Sequence, residues 1–263
     1  MAEIRDWYDT PLYYDIIFDA DTLREADFLE VVYHEHGPGG RSRRLLEPAC
    51  GSGRLVLEMA RRGWKVCGFD GNPRMLDFAR QRLSEAGVKA RLWEDWMQSF
   101  QVPARQGPFD LAHCLVSSFK YLLSEPDATA CLQRVTESLR PRGLLVLGVH
   151  LTDYTRAEEE HERWVAEREG IRVVCNTRTW PADPQTRLEK LRTRLKISHA
   201  GRTQVQETIW QFRTYNAAQM RALLRRIPGL SLAACYDFTY NPLQPRLLDD
   251  SYSDIVLVLR KGL

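Results

Sequence analysis

The sequence predicts an α/β fold, a doubly wound sheet of mostly parallel strands. Three observations predict it. The apolar run Leu45-Leu46-Glu47 breaks into the turn Pro48-Ala49-Cys50-Gly51-Ser52-Gly53, and a helical pattern follows (Leu55, Met59, Ala60, closed by Gly63). A second apolar run, Lys65-Val66-Cys67-Gly68-Phe69-Asp70, returns at β-α-β spacing and ends on an acid. Strand-like runs then alternate with helical patterns, at Val88 to Trp93, Phe109 to Leu115 and Leu144 to His150, as in a parallel sheet with crossover helices.

The glycine turn points to a ligand. Gly51 and Gly53 let backbone N–H groups come close to it at a helix N-terminus. Asp70, about 20 residues on, can accept hydrogen bonds from ribose hydroxyls. What is missing narrows the ligand. The third position of a dinucleotide fingerprint is Val56, and no Walker lysine follows Gly53-Arg54. Glu47 would repel a pyrophosphate but suits an ammonium or sulfonium charge.

Strand, acid, glycines, helix, strand and acid in this order resemble motif I of the class I S-adenosylmethionine-dependent methyltransferases, small-molecule (methyltransferase-domain 25/11-like) type. The resemblance covers roughly residues 40 to 150. It includes Asp95-Trp96-Met97 after the third strand and the Phe109-Asp110 pair that announces the fourth. It implies a Rossmann-like seven-stranded sheet in the order 3-2-1-4-5-7-6, strand seven antiparallel. It also implies S-adenosyl-L-methionine as cofactor and S-adenosyl-L-homocysteine as product. Asp70 would take the ribose, Asp95 the adenine amino group, and Trp96 would lie beside the ring with Met75 and Met97. Glu47, Ala49, Cys50, Gly51, Gly53 and Arg54 would surround the amino-acid end, together with the backbone carbonyl of Leu115. Gly71 and Asn72 follow the ribose acid, and Tyr13 belongs to a lid.

Composition sets the remaining bounds. The chain has 263 residues, 44% of them hydrophobic, enough for a sizeable core. Lys plus Arg (37) nearly balances Asp plus Glu (35), so no global basic field argues for nucleic acid. The longest apolar run, Leu144 to Leu151, is too short to span a bilayer, and the first residues lack the apolar core of a signal peptide. Six cysteines without a C-x-x-C pair read as thiols in a reducing cytoplasm, and no metal site is expected.

Four segments are expected. Residues 1–40 form an N-terminal arm and helix, a lid, in which Thr22 and Glu25 have the spacing of a capping box. Residues 41–150 form the cofactor-binding core, with Asn72 and Pro73 opening one helix and another running from Glu125 to Leu139. Residues 151–215 form an antiparallel β insertion, a cap. There, Arg156 to Gly170 reads as a solvated helix. Ile171–Thr179, Leu188–Ser198 and Thr203–Tyr215 read as strands, with a hairpin turn at His199-Ala200-Gly201-Arg202. The free edge of such a sheet offers a homodimer surface. Residues 216–263 supply the last helix, capped by Asn216, and a closing strand pair, Leu230–Tyr240 and Asp254–Leu259.

Methyl transfer from a sulfonium is an in-line displacement that depends on positioning and needs a base only where the nucleophile must lose a proton. His150, at the end of the fifth strand, is the first base candidate, because imidazole titrates near neutrality. Tyr14 is the second. Phe119 and Tyr121, after the fourth strand, and Trp180, Arg213 and Tyr215, in the insertion, are candidates for binding the acceptor. No Asn/Asp-Pro-Pro-aromatic motif follows the fourth strand. A small molecule methylated at N or O is therefore the expected acceptor. An RNA or protein substrate and a silent cofactor-binding subunit stay open.

Overall fold

In the computed structural model, which describes residues 3–40 and 42–263, strand β1 (Glu3–Ile4) leads through a short turn into helices α1 (Pro11–Phe18) and α2 (Thr22–His36). An alternating half follows: β2 (Arg44–Pro48), α3 (Arg54–Arg61), β3 (Lys65–Asp70), α4 (Pro73–Glu85), β4 (Arg91–Glu94), β5 (Phe109–Cys114), α5 (Glu125–Ser138) and β6 (Leu139–His150). Four strands come next, β7 (Glu160–Arg168), β8 (Ile171–Thr179), β9 (Leu188–His199) and β10 (Arg202–Arg213). Helix α6 (Ala217–Arg225), β11 (Leu230–Tyr236) and β12 (Asp254–Lys261) close the chain.

The larger sheet runs β4-β3-β2-β5-β6-β12-β11. Strands β2 to β6 pair in parallel, and β12 is antiparallel to both β6 and β11. Numbered along the chain, its strands lie in the order 3-2-1-4-5-7-6. The winding reverses between β2 and β5, which opens a crevice at the strand C-termini there. Both faces are covered. Phe28, Leu29 and Val32 of α2 pack with Leu55 and Met59 of α3 on one side, and Leu132, Val135, Met220 and Leu223 of α5 and α6 pack on the other. That is why every residue of β5 is buried. Each fully buried Leu or Phe of these layers contributes about 1.5–3 kcal/mol.

The second sheet runs β1-β10-β9-β8-β7 and is antiparallel except for β1, which pairs in parallel with β10 through Glu3↔Gln206 and Ile4↔Glu207. Three sequence expectations are corrected here. Arg156 to Gly170 is not a helix but mostly strand β7; an edge strand wets both faces, so its charges carry no alternation, and the left-handed pair Glu169-Gly170 (φ 51° and 75°) turns it back into β8. Thr22 and Glu25 form no capping box, because both side chains hold Arg54 instead. Strand β6 begins at Leu139, where the helix was expected to end, and not at Leu144. Among the described residues no helix is long and apolar enough to cross a membrane.

Candidate active site

Strand β2 ends where Ala49, Gly51 and Gly53 take φ of 53°, 52° and 71°. Gly53 is required here. A Cβ on it would stand 2.7 Å from that of Ala79, so the close approach of α3 to α4 depends on its absence. Asp70, ending β3, accepts the Gly51 N–H on Oδ2 and the Asn72 N–H on Oδ1, each at 2.8 Å. Each carboxylate oxygen keeps a lone pair for a further donor. Burial pushes the Asp70 carboxyl up, and the two amide bonds pull it back. Asn72 caps α4, accepting from Arg74 and Met75 at 2.9 and 3.1 Å, and its amide donates to Asp9 at 3.1 Å. Met75 is fully buried in that first turn.

Beyond β4, the Asp95 carboxylate accepts from the N–H groups of Trp96 and Gln101 at 2.9 and 3.0 Å and from the Trp93 indole at 3.3 Å. The Trp96 ring is 61% exposed and lies over Gly71, where a Cβ would come within 2.8 Å of it. Met97 packs against the core, and Cys50 is buried against Gly68. The Asp70 carboxylate, an outward indole and the Asp95 carboxylate thus share one edge of the crevice.

Glu47 is buried, and its Oε2, 3.7 Å from His113 Nε2, has no hydrogen-bond partner. Burial pushes its carboxyl well above the ordinary range, against the pull of the Arg54 charge. Arg54 is buried, its guanidinium paired with Glu25 and donating to Thr22 at 3.2 Å, and its charge acts on Glu47 and Tyr14. On the other side of the crevice Leu115 is buried and its carbonyl accepts the Ser118 N–H at 3.4 Å. Val116 and Ser117 follow with φ of 56° and 61°, two strained positions in a row.

The N-terminal arm closes over this crevice through a residue the sequence reading missed. Asp15, fully buried, accepts from Ser52 of the glycine turn at 2.7 Å, from Arg168 of β7 at 2.7 Å, and from Arg82 of α4. Its partners lie 37 to 153 residues away, so no local signal marks it. Beside it, the Tyr14 ring faces Gly51, and burial pushes its hydroxyl far up.

Three segments pool their aromatics here. Trp7 packs on Trp210 with centroids 4.7 Å apart, Tyr8 on Tyr14 at 5.4 Å, and Tyr121 on Phe212 at 4.7 Å; the Tyr8 hydroxyl donates to that of Tyr121 at 2.9 Å. Tyr121, an acceptor candidate from the sequence, belongs to this cluster. Tyr13 does not, because it leaves this cluster to accept from Gln204 at 2.7 Å. Phe119 and Tyr215 are also corrected, since both are core residues, 1% and 0% exposed. Arg213 is buried on Glu125 at 2.7 Å and the Leu123 carbonyl at 3.1 Å, and Trp180 stacks against Arg178 and Lys190. Trp210 and Phe212, on the other face of β10 from Arg213, join the aromatic cluster.

His150 lies at the same C-terminal edge. Its Nδ1 is 2.7 Å from Asp254 Oδ1, its N–H donates to Ser117 Oγ at 3.1 Å, and its ring meets Phe238 edge-on at 4.9 Å. The bond from His150 holds the Asp254 carboxyl below the ordinary carboxylate range. Nε2 is left for another partner, the tautomer a base requires.

Residues 45–143 match the family described as "Methyltransferase domain". The glycine/sarcosine N-methyltransferase of Parasynechococcus marenigrum (strain WH8102) is 30% identical over 133 residues, 50% of this chain and 45% of that protein. The chain spans about half the length of the curated relatives it matches. Among solved structures, an S-adenosylmethionine-dependent methyltransferase from Clostridium acetobutylicum ATCC 824 superposes with a TM-score of 0.77 at 17% identity, covering 95% of this chain and 96% of that one. The sugar N-methyltransferase KedS8 from Streptoalloteichus sp ATCC 53650 gives 0.72 at 20% identity, covering 98% and 94%. At such identities these likenesses speak for the fold alone. Residues 45–143 thus match a methyltransferase domain, set in a fold that this chain shares with S-adenosylmethionine-dependent methyltransferases of known structure.

Proposed function

We propose that this protein is an enzyme that transfers a methyl group from S-adenosylmethionine to a nitrogen or oxygen of a small-molecule acceptor. The observation that carries the reading is the Asp70 carboxylate, fixed between the Gly51 and Asn72 amides at the switch point with lone pairs to spare. The residues present fit the cofactor. Asp70 holds the ribose hydroxyls, the remaining lone pair of Asp95 Oδ1 takes the adenine amino group, and Trp96 flanks the ring. Glu47, whose buried Oε2 has no protein partner, faces the cationic amino-acid end with the Leu115 carbonyl. When bound, the cofactor supplies a methyl carbon on a sulfonium, the electrophile of an in-line displacement.

The chain's own residues do the rest. Tyr8, Tyr14, Tyr121, Trp210 and Phe212 wall the acceptor chamber and exclude water, so the arm acts as a lid and the second sheet as a cap. His150 Nε2 takes the acceptor's proton, while Asp254 fixes the ring and supports its charged form. Tyr14, its hydroxyl raised by burial, is a hydrogen-bond donor and not a base. A chamber closed by an arm and a sheet suits a small acceptor and rejects a folded macromolecule. The relatives named as acting on glycine, sarcosine or sugars fit that size class. The six buried free thiols suit a reducing cytoplasm, and the open edge of β7, with Trp164 and Val165 41% and 44% exposed, suits a homodimer.

The test is label transfer. Purified protein is incubated with methyl-labelled S-adenosylmethionine and fractionated cell extract. Label is expected in small metabolites. Label only in RNA or protein would overturn the small-molecule reading, and label in neither would point to a silent binding protein.

A further inference from the structure

Glu47 of β2 and His113 of β5 face each other on adjacent strands, on the side of the sheet covered by α2 and α3. His113 is fully buried, and neither of its ring nitrogens has a hydrogen-bond partner. Glu47 Oε2 has none either, and Nε2 stands 3.7 Å from it. Buried polar atoms left unpaired are expensive, and native proteins keep few of them. The surrounding groups do not discharge the pair. Arg54 of α3 is bound to Glu25 of α2, Asp70 of β3 to two amides, and Asp15 of α1 to Ser52. The thiols of Cys50 and Cys114 and the hydroxyl of Tyr14 are all pushed up by burial, hence neutral.

We propose that His113 is the positioning residue of Glu47 and makes cofactor binding proton-linked: Glu47 holds a proton in the cofactor-free protein, shared with His113, and releases it when a cationic ligand binds. This rests on the cofactor reading above. The balance is simple. The Glu47 O–H bond breaks, the proton goes to solvent, and the carboxylate keeps the electron pair and faces the ligand's positive charge. A neutral imidazole suits both states: on closing from 3.7 Å, Nε2 can accept from the carboxylic acid and, in the other tautomer, donate to the carboxylate. Burial favours the same starting state, because it raises Glu47 and, together with the Arg54 charge, lowers His113 to about 3.

Calorimetric titration of S-adenosylmethionine into the full-length protein, in buffers of different ionisation enthalpy, tests this from about pH 6 to about pH 8. Native protein should release up to about one proton per cofactor, with affinity rising up to about tenfold per pH unit wherever Glu47 starts protonated. Glu47→Gln should release none. His113→Asn, which can also accept or donate, should keep the proton count, and His113→Leu should weaken binding and displace the pH profile. Should His113→Leu fail to fold, the native proton count and Glu47→Gln decide alone. Native binding with no proton exchange, or release that survives Glu47→Gln, overturns the linkage. An unchanged profile in His113→Leu overturns the part given to His113. A native protein that takes up no cofactor in any buffer overturns the cofactor reading itself, a distinct result.

Discussion

The two sides of the crevice are built in different ways. On the β2–β3–β4 side the acids and the helix cap each have partners close in sequence: Asp70 has Asn72, Asn72 its own helix, and Asp95 has Trp96 and Gln101. On the β5–β6–β12 side every feature is assembled from distant segments. Tyr8 meets Tyr121, Lys120 buries its ammonium against Glu189 of β9 at 2.7 Å, and His150 meets Asp254 across 104 residues. The difference teaches that the cofactor side is a local motif that the sequence can state. The acceptor side exists only once the second sheet and the arm are docked.

The largest effect should fall on the assembled side. With the acceptor found by label transfer, His150→Gln is expected to lower turnover by about 10²–10⁴-fold, the usual contribution of a positioned base, while cofactor affinity stays unchanged. Equal turnover would show that the acceptor needs no base, or finds it elsewhere.

The joint between the sides comes next. Asp15→Ala leaves Arg82 and Arg168 without their shared carboxylate and Ser52 without its acceptor. Removing one partner from such a buried network costs about 3–5 kcal/mol. Urea unfolding should show that loss at the midpoint, with the slope unchanged; a loss under about 1 kcal/mol would mean the clasp is ornamental.

A smaller effect belongs to acid pH. The Asp254 carboxyl is held low by His150, so its stabilisation is complete above the ordinary carboxylate pKa of about 3.9 and is lost as pH falls through the lower folded value. The gap in stability between native protein and Asp254→Asn should therefore be constant from about pH 5 to about pH 6 and close below about pH 4. A gap that persists in acid would mean that the pair is held by shape and not by charge.

Legibility in the sequence follows the same division. Asp70, Asn72 and the glycine turn could be read because their partners are local, and β8 to β10 because alternation and the Ala200-Gly201 turn are local too. β7 could not. An edge strand rich in Glu, Arg and Ala has helical propensity and no buried face to betray it. Thr22 and Glu25 imitated a capping box because the spacing that caps a helix also holds one guanidinium. Phe119, in the turn after β5, and Tyr215, in the loop after β10, were misread as chamber walls because the side to which a loop residue turns is fixed by tertiary packing, which no single sequence displays. Asp15 and His113 find their partners, Ser52 and Glu47, far away in the chain, and nothing local marks either of the two.

The division between the two sides can be measured without knowing the acceptor. Dissociation constants for S-adenosylmethionine are determined by calorimetry for the native protein, Asp70→Ala and Trp210→Ala. Removing the charged acceptor of the ribose hydroxyls costs about 1.5–3 kcal/mol, so Asp70→Ala should bind about ten- to over a hundredfold more weakly. Trp210→Ala, which opens the aromatic wall, should bind within about twofold of native. Equal losses in the two variants, or unchanged affinity in Asp70→Ala, would contradict the division.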